Sequence, residues 1–283
     1  MAEKKKMNNN VHLYGYINDV RINPTDSGKT AINLDVVTLE TYKDKKTGEY
    51  QNRRTYHDVS MYTTDEKEIA KYKAVEADAK ENIKNREVEG YKPKTHTVSL
   101  DGLLVSRGDR EHVVLVKPEN AVLDVKQAEN EVRNRADIVA NIGTINLYED
   151  KGFAVMSVAH HYRPEGAEKD NDTWLNVRVD AERQYSKETY KAIVAGDIKV
   201  GDFARLGGQI HNNRYTDSEG NKKYEIALDL TSYEKIEKKQ AQAEKAEEKV
   251  EVKEDKAPAK KEAPAKKEEA KKANSRKKGI KMS

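Results

Sequence analysis

Two consecutive five-stranded β-barrels, each with a helix between its third and fourth strands, followed by a disordered tail, are what this sequence predicts. Three observations carry the prediction. Apolar residues alternate in ten short segments, a helix-forming segment recurs at the same place in each half, and the composition collapses after residue 236.

The first strand is predicted from Val11, where Val11, Leu13, Gly15 and Ile17 alternate with His12, Tyr14 and Tyr16. The turn-forming stretch from Asn23 to Gly28 ends it, and a second strand runs from Ala31 to Thr41. A polar loop with Gly48 leads to a third, from Arg53 to Tyr62. Residues 65–90 are rich in Glu, Lys and Ala without Pro, which reads as a surface helix. Strands near 95–106 and 112–116 complete a first domain over residues 9–126. A second pass over 136–236 places strands at 138–146, 154–161, 173–179, 203–211 and 224–230, with a helix at 186–195. This order of strands and helix is that of the OB fold. Val11 to Gly15 align with Val139 to Gly143, and Thr55 and Tyr56 with Thr173 and Trp174, which suggests an internal duplication.

Composition narrows the function classes. The 283 residues are 36% hydrophobic and 36% charged, with a mean hydropathy of -0.99. That is low for a chain folded throughout, and residues 237–283, built from Lys, Glu, Ala and Pro, are expected to be disordered. They hold 16 Lys and Arg against 10 Asp and Glu, which leaves 37 against 40 for residues 1–236. A basic body is therefore no argument for nucleic acid, and any positive surface must be local. There is no Cys, which removes disulfides and thiolate chemistry. The lack of a long apolar run or a signal-like start gives the expectation of a soluble, cytoplasmic protein that does not engage membranes.

The third strand of each half is the most informative. Alternation turns His57, Val59 and Met61 to the core and Tyr56, Asp58, Ser60 and Tyr62 to an open face. Likewise Leu175, Val177 and Val179 face inward, leaving Trp174, Asn176, Arg178 and Asp180 outside. Flat rings on a polar face suit sequence-tolerant stacking of bases, and nearby Arg53, Arg54 and Arg178 suit phosphates.

The run Tyr42-Lys43-Asp44-Lys45-Lys46-Thr47-Gly48-Glu49, followed by Thr55-Tyr56-His57-Asp58-Val59, resembles the bacterial single-stranded DNA-binding protein family, in its bacterial, plasmid or phage forms. Asn9 to Gly15 resemble that family's opening strand, and residues 208–217 and 220–224 its fourth strand and following loop. The resemblance implies stacking positions at Tyr42, Tyr56, Tyr62, Tyr162, Trp174 and Tyr215, and phosphate contacts at Lys43, Arg53, Arg54, Arg107, Arg178 and Arg214. It implies binding and protection of single-stranded DNA in replication, recombination or repair, in the cytoplasm of a cell or of a phage's host, with other replication or recombination proteins as partners. Since single-barrel members assemble as tetramers, it also implies a homodimer for a tandem chain. The match to Tyr62 in the second half is Asp180, and Arg107 stands near the match to Tyr215, so each half has lost one platform. The basic end from Arg276 to Ser283 also departs from the family's acidic tip.

Other readings are weaker or change only the ligand. Ser27-Gly28-Lys29-Thr30 lacks the preceding Gly of a phosphate-binding loop and leads into a strand. His160 and His161 point to opposite faces of a strand, without a third metal ligand, and read as a surface pair at a loop edge. No enzyme, metal or cofactor is expected. An RNA-binding OB domain or a protein-interaction scaffold keeps the fold and alters the partner.

Overall fold

The computed structural model describes residues 9–43, 47–107, 111–127, 133–162, 171–216 and 222–236. The side chains of residues 43, 107, 111, 171, 213–216 and 222–225 lie outside the described residues, as does the predicted tail at 237–283. The molecule is mainly β. In the first half, β1 (Asn9–Pro24), β2 (Thr30–Lys43) and β3 (Tyr50–Thr63) precede α1 (Glu66–Asn85), then β4 (Thr97–Arg107) and β5 (Glu111–Leu123). In the second, β6 (Asn134–Tyr148), β7 (Phe153–Tyr162) and β8 (Asn171–Asp180) precede α2 (Lys187–Val194), then β9 (Phe203–Thr216) and β10 (Lys222–Lys235). All ten strands join in one sheet.

The strands outrun the alternating segments because backbone pairing persists after side-chain burial stops. β2 and β3 pair without a break from Thr30 with Thr63 to Lys43 with Tyr50. β1 continues through Asn23 and Pro24, where a turn was expected. The turn comes one step later: Thr25 N donates to Lys29 O at 2.9 Å and Gly28, at φ 75°, donates to Thr25 O at 3.0 Å. Ser27 to Thr30 are thus a hairpin turn that opens β2. α1 starts at Asp65, whose side chain accepts from Lys67 N at 2.8 Å, with Glu66 and Glu68 in its first turn. It is shorter than residues 65–90 and only partly a surface helix, since Ile69, Tyr72 and Val75 are buried along one stripe.

Both halves pair in the same order. β1 pairs with β2 and β4, β3 with β2 and β5, and β4 with β5, so the pairings close on themselves. β6 pairs with β7 and β9, β8 with β7 and β10, and β9 with β10. Val11 faces Gly102 as Ala136 faces Gly208, an offset of 125 residues between the opening strands rather than the 128 that aligning Gly15 with Gly143 gave. Gly143 instead matches Asn18: each is the extra residue of a bulge, between Ile142 and Thr144 and between Ile17 and Asp19. The match of Tyr56 with Trp174 stands in the register, where they face Val37 and Ala159.

A seam joins the halves, and residues up to Lys238 form one compact unit. β1 and β6 pair antiparallel, Asn9 with Ile138 through Leu13 with Asn134. Val11 to Leu13 and Ala136 to Ile138 also keep their pairing with β4 and β9, but at Asn9 and Asn134 the backbone ladder within each half has ended. An asparagine side chain continues the abandoned ladder. Asn9 Nδ2 donates to Leu104 O at 2.7 Å and Asn9 Oδ1 accepts from Leu104 N at 3.1 Å. Asn134 does the same to Ile210, at 2.7 and 3.0 Å. Both asparagines are buried. His160 is buried as well, its Nδ1 accepting from Asn9 Nδ2 at 3.1 Å, so it is not a surface residue as expected. The partner that covers it is 151 residues away in sequence. His161 is exposed and bonded to Asp172 at 2.6 Å.

Candidate nucleic-acid interface

The register sorts the open face of each half into rows of three residues, one per strand. In the first half the rows are Tyr16, Val37 and Tyr56; then Asp19, Asp35 and Asp58; then Arg21, Asn33 and Ser60; then Asn23, Ala31 and Tyr62. In the second they are Asn141, Ala159 and Trp174; then Thr144, Ser157 and Asn176; then Asn146, Val155 and Arg178; then Tyr148, Phe153 and Asp180. Tyr56, Tyr62 and Trp174 are exposed, as their alternation predicts. Ser60 is buried instead, its hydroxyl donating to Asn33 at 2.7 Å.

Trp174 is 55% exposed and rests on the bulge at Gly143. A Cβ at residue 143 would stand 2.5 Å from Cζ3 of its ring. The space that glycine leaves is the floor on which the indole lies. Gly143→Ala should therefore swing the ring tip outward, because the ring is the free end of an exposed side chain. Trp174 emission should shift to longer wavelength, with stability changed by no more than about 1 kcal/mol. An unshifted spectrum would show that the floor does not hold the ring.

Beside Trp174 lies a neutral row of hydrogen-bonding side chains, in which Ser157 donates to Asn176 at 2.6 Å. Beside Tyr56 lies a row of three aspartates. Burial pushes the Asp35 carboxyl above its ordinary range, the Asn18 hydrogen bond opposes this, and the charges of Asp58 and Asp19 add to the rise. A phosphate chain laid from Tyr56 to Tyr62 would cross that row.

Two further groups stand out that sequence reasoning missed. Tyr148 and Phe153 stack with centroids 4.8 Å apart, across the turn that ends at Gly152. The Arg178 guanidinium lies 4.3 Å over Phe153 and Lys151 is 5.7 Å from Tyr148. These rings occupy the row of Asp180, the match to Tyr62, from the two neighbouring strands. A Tyr and a Phe bracketing the short turn Glu149 to Gly152 are the signal that was available.

The remaining expected residues do not all join these faces. Tyr42 faces Gln51 in the register, its hydroxyl donating to Gln51 at 3.0 Å, and alternation puts it on the opposite face of the hairpin from Tyr56 and Tyr62. Tyr162, facing Asn171, stands opposite Trp174 in the same way. Arg53 is committed to the seam: its Nη2 lies 2.8 Å from Glu40 and 2.7 Å from His211 Nε2, and Nη1 is 4.0 Å from Asp229. Arg183 also reaches Asp229, at 2.5 Å. Arg54, by contrast, is exposed and has no ion-pair partner among the described residues. Lys43, Arg107, Arg214 and Tyr215 have backbones in β2, β4 and β9, but their side chains lie outside the described residues.

The backbone that carries each leading ring is bonded from the other half. The Trp174 carbonyl accepts from His112 Nε2 and the Tyr56 carbonyl from Asn212 Nδ2, both at 2.6 Å. Ser106 N also donates to Thr173, next to Trp174, at 3.1 Å. Among the described residues no cluster of His, Asp and Glu is arranged to hold a metal ion, and no helix is long and apolar enough to cross a membrane.

No family model and no curated protein matches the chain. Solved structures do. The wild-type single-stranded DNA binding protein from Thermus aquaticus is similar at 15% identity, over 81% of this chain and 93% of that one, with a TM-score of 0.49. The Plasmodium falciparum SSB complex with ssDNA is similar at 17% identity over 42% and 96%, with a TM-score of 0.28. A small single-stranded DNA binding protein from Mycoplasma pneumoniae is similar at 11% over 36% and 91%, with a TM-score of 0.27.

Proposed function

We propose that this chain binds single-stranded DNA without sequence preference and shields unpaired strands in replication, recombination or repair. The two closed sets of pairings are read as tandem OB-type barrels, residues 9–126 and 136–236, fused along β1 and β6. The observation that carries the reading is the open face of the second half: an exposed indole on a glycine floor, a neutral hydrogen-bonding row, then a guanidinium over stacked rings. Bases have a π-face whatever their identity, which makes such a surface sequence-tolerant, and phosphate contacts make it salt-sensitive. The work is non-catalytic, in the cytoplasm, and the chain acts alone or as a homodimer.

Trp174 reports on its own site, being the only Trp in the chain. A mixed-sequence single-stranded DNA oligonucleotide should quench its emission saturably, less so as salt rises, and duplex DNA should not compete. Trp174→Ala should weaken binding about 10- to 100-fold, the range that loss of one stacked base allows. Quenching by RNA in preference to DNA would move the assignment to RNA. Absence of both quenching and a gel shift would leave a protein scaffold.

A further inference from the structure

Between the C-terminal half of α1 and the first half's open face runs a groove of about 500 Å³. Its floor is the row of Tyr16, Val37 and Tyr56, continued by Leu39, and both tyrosine rings are partly exposed. Its wall is Ala79 and Ile83 of α1 and Arg86, the residue that caps the helix at its C-terminus, with Ile83 60% exposed. The wall is braced. Asn82 donates to Lys94 O at 2.7 Å and accepts from Lys94 N at 3.0 Å and from Tyr91 at 2.8 Å.

The charges around this groove are not equivalent. Lys94 is paired with Asp78 at 2.7 Å, and His96 lies 3.1 Å from both Asp78 and Asp124. Arg54 has no ion-pair partner among the described residues. Arg86 has one ion pair among the described residues, with its exposed neighbour Glu87 at 3.4 Å, a contact of little worth in water. The groove therefore offers an apolar floor edged by two rings, with two available guanidiniums at one side and the aspartate row at the other. An anion leaving Tyr56 is repelled along β3 and attracted toward α1.

We infer that this groove is a nucleotide-binding subsite, in which single-stranded DNA places a base against Tyr16 and Tyr56 and its phosphate between Arg54 and Arg86. The inference rests on the proposed function and adds the path: the strand turns from Tyr56 under α1 and does not continue to Tyr62. α1, expected only as a surface helix, becomes part of the interface.

Ile83 is an exposed position of α1 and Arg86 its exposed C-cap, so their substitution spares the fold. With the full chain and a single-stranded oligonucleotide, Arg86→Ala should weaken binding about fivefold at low salt and lower the slope of log affinity against log salt by roughly 0.7, the loss of one phosphate contact. Ile83→Asp, which removes apolar wall and sets a negative charge beside the phosphate path, should weaken it comparably. Cross-linking through 5-iododeoxyuridine should label Tyr16 or Tyr56 in the native chain and less in Ile83→Asp. Unchanged affinity and slope in both variants, with Trp174 still quenched, would overturn the subsite and leave DNA binding in place. A native chain that neither quenches nor shifts an oligonucleotide would overturn both.

Discussion

Lowering the pH from 7 to 5 should cost the folded protein about 4 kcal/mol and lower its melting temperature by roughly 10 °C. The cause is two imidazoles sealed in the core. Burial, with a smaller push from His211, holds His57 down at about 3; its Nε2 is bonded to the Thr38 hydroxyl at 2.9 Å. Burial, helped by His112 and His161, holds His160 down at about 4. Its Nδ1 accepts from Asn9, which leaves the proton on Nε2, buried without a partner among the described residues. Both folded values lie below the unfolded value of 6.5, so well above pH 6.5 neither state carries the proton and the penalty vanishes. Below it the unfolded chain takes up protons that the folded chain refuses, and each histidine costs about 1.4 kcal/mol per pH unit until its own folded pKa is reached. His211, also lowered by burial, adds in the same sense, while the raised Asp35 opposes it. Calorimetry at the two pH values measures the drop, and His160→Gln should remove nearly half of it. A melting temperature that does not move between pH 7 and 5 would contradict the burial of both rings.

The sequence made some of this legible and hid the rest for identifiable reasons. The inward faces of β3 and β8 follow from period two alone, because each strand packs one side on a core, and Val59, Met61, Leu175, Val177 and Val179 are all buried. What alternation within one strand does not contain is its neighbour. Tyr42 and Tyr56 look like one platform until the hairpin register places them on opposite faces. The bulges at Asn18 and Gly143 shift every later residue of β1 and β6 to the other face. They thereby bring three aspartates together in one half and Thr144, Ser157 and Asn176 in the other. Arg53 looks like a free cation in its strand. Its partner His211 lies 158 residues further on, and no local pattern signals so distant a contact.

The same long-range seam makes Asn134→Ala a severe polar truncation. The substitution leaves the Ile210 N–H and C=O without the partners that now bond them at 3.0 and 2.7 Å, in a place where Asn134 itself is 1% exposed. A buried backbone group left unpaired costs about 1 to 3 kcal/mol, so two should cost about 3 to 4 in chemical denaturation. Asn9→Ala should match it, since it frees Leu104 in the same way and removes the His160 contact as well. The effect should also reach the interface. Ile210 is two residues from Asn212, which holds the Tyr56 carbonyl, and Leu104 is two residues from Ser106, which bonds Thr173 beside Trp174. Each asparagine thus steadies a stacking ring in the opposite half through one short stretch of strand. Asn134→Ala should weaken oligonucleotide binding more than Ile198→Ala, a core truncation of similar cost remote from the seam. Equal affinities for these two variants would mean that the seam holds the halves together without positioning the rings.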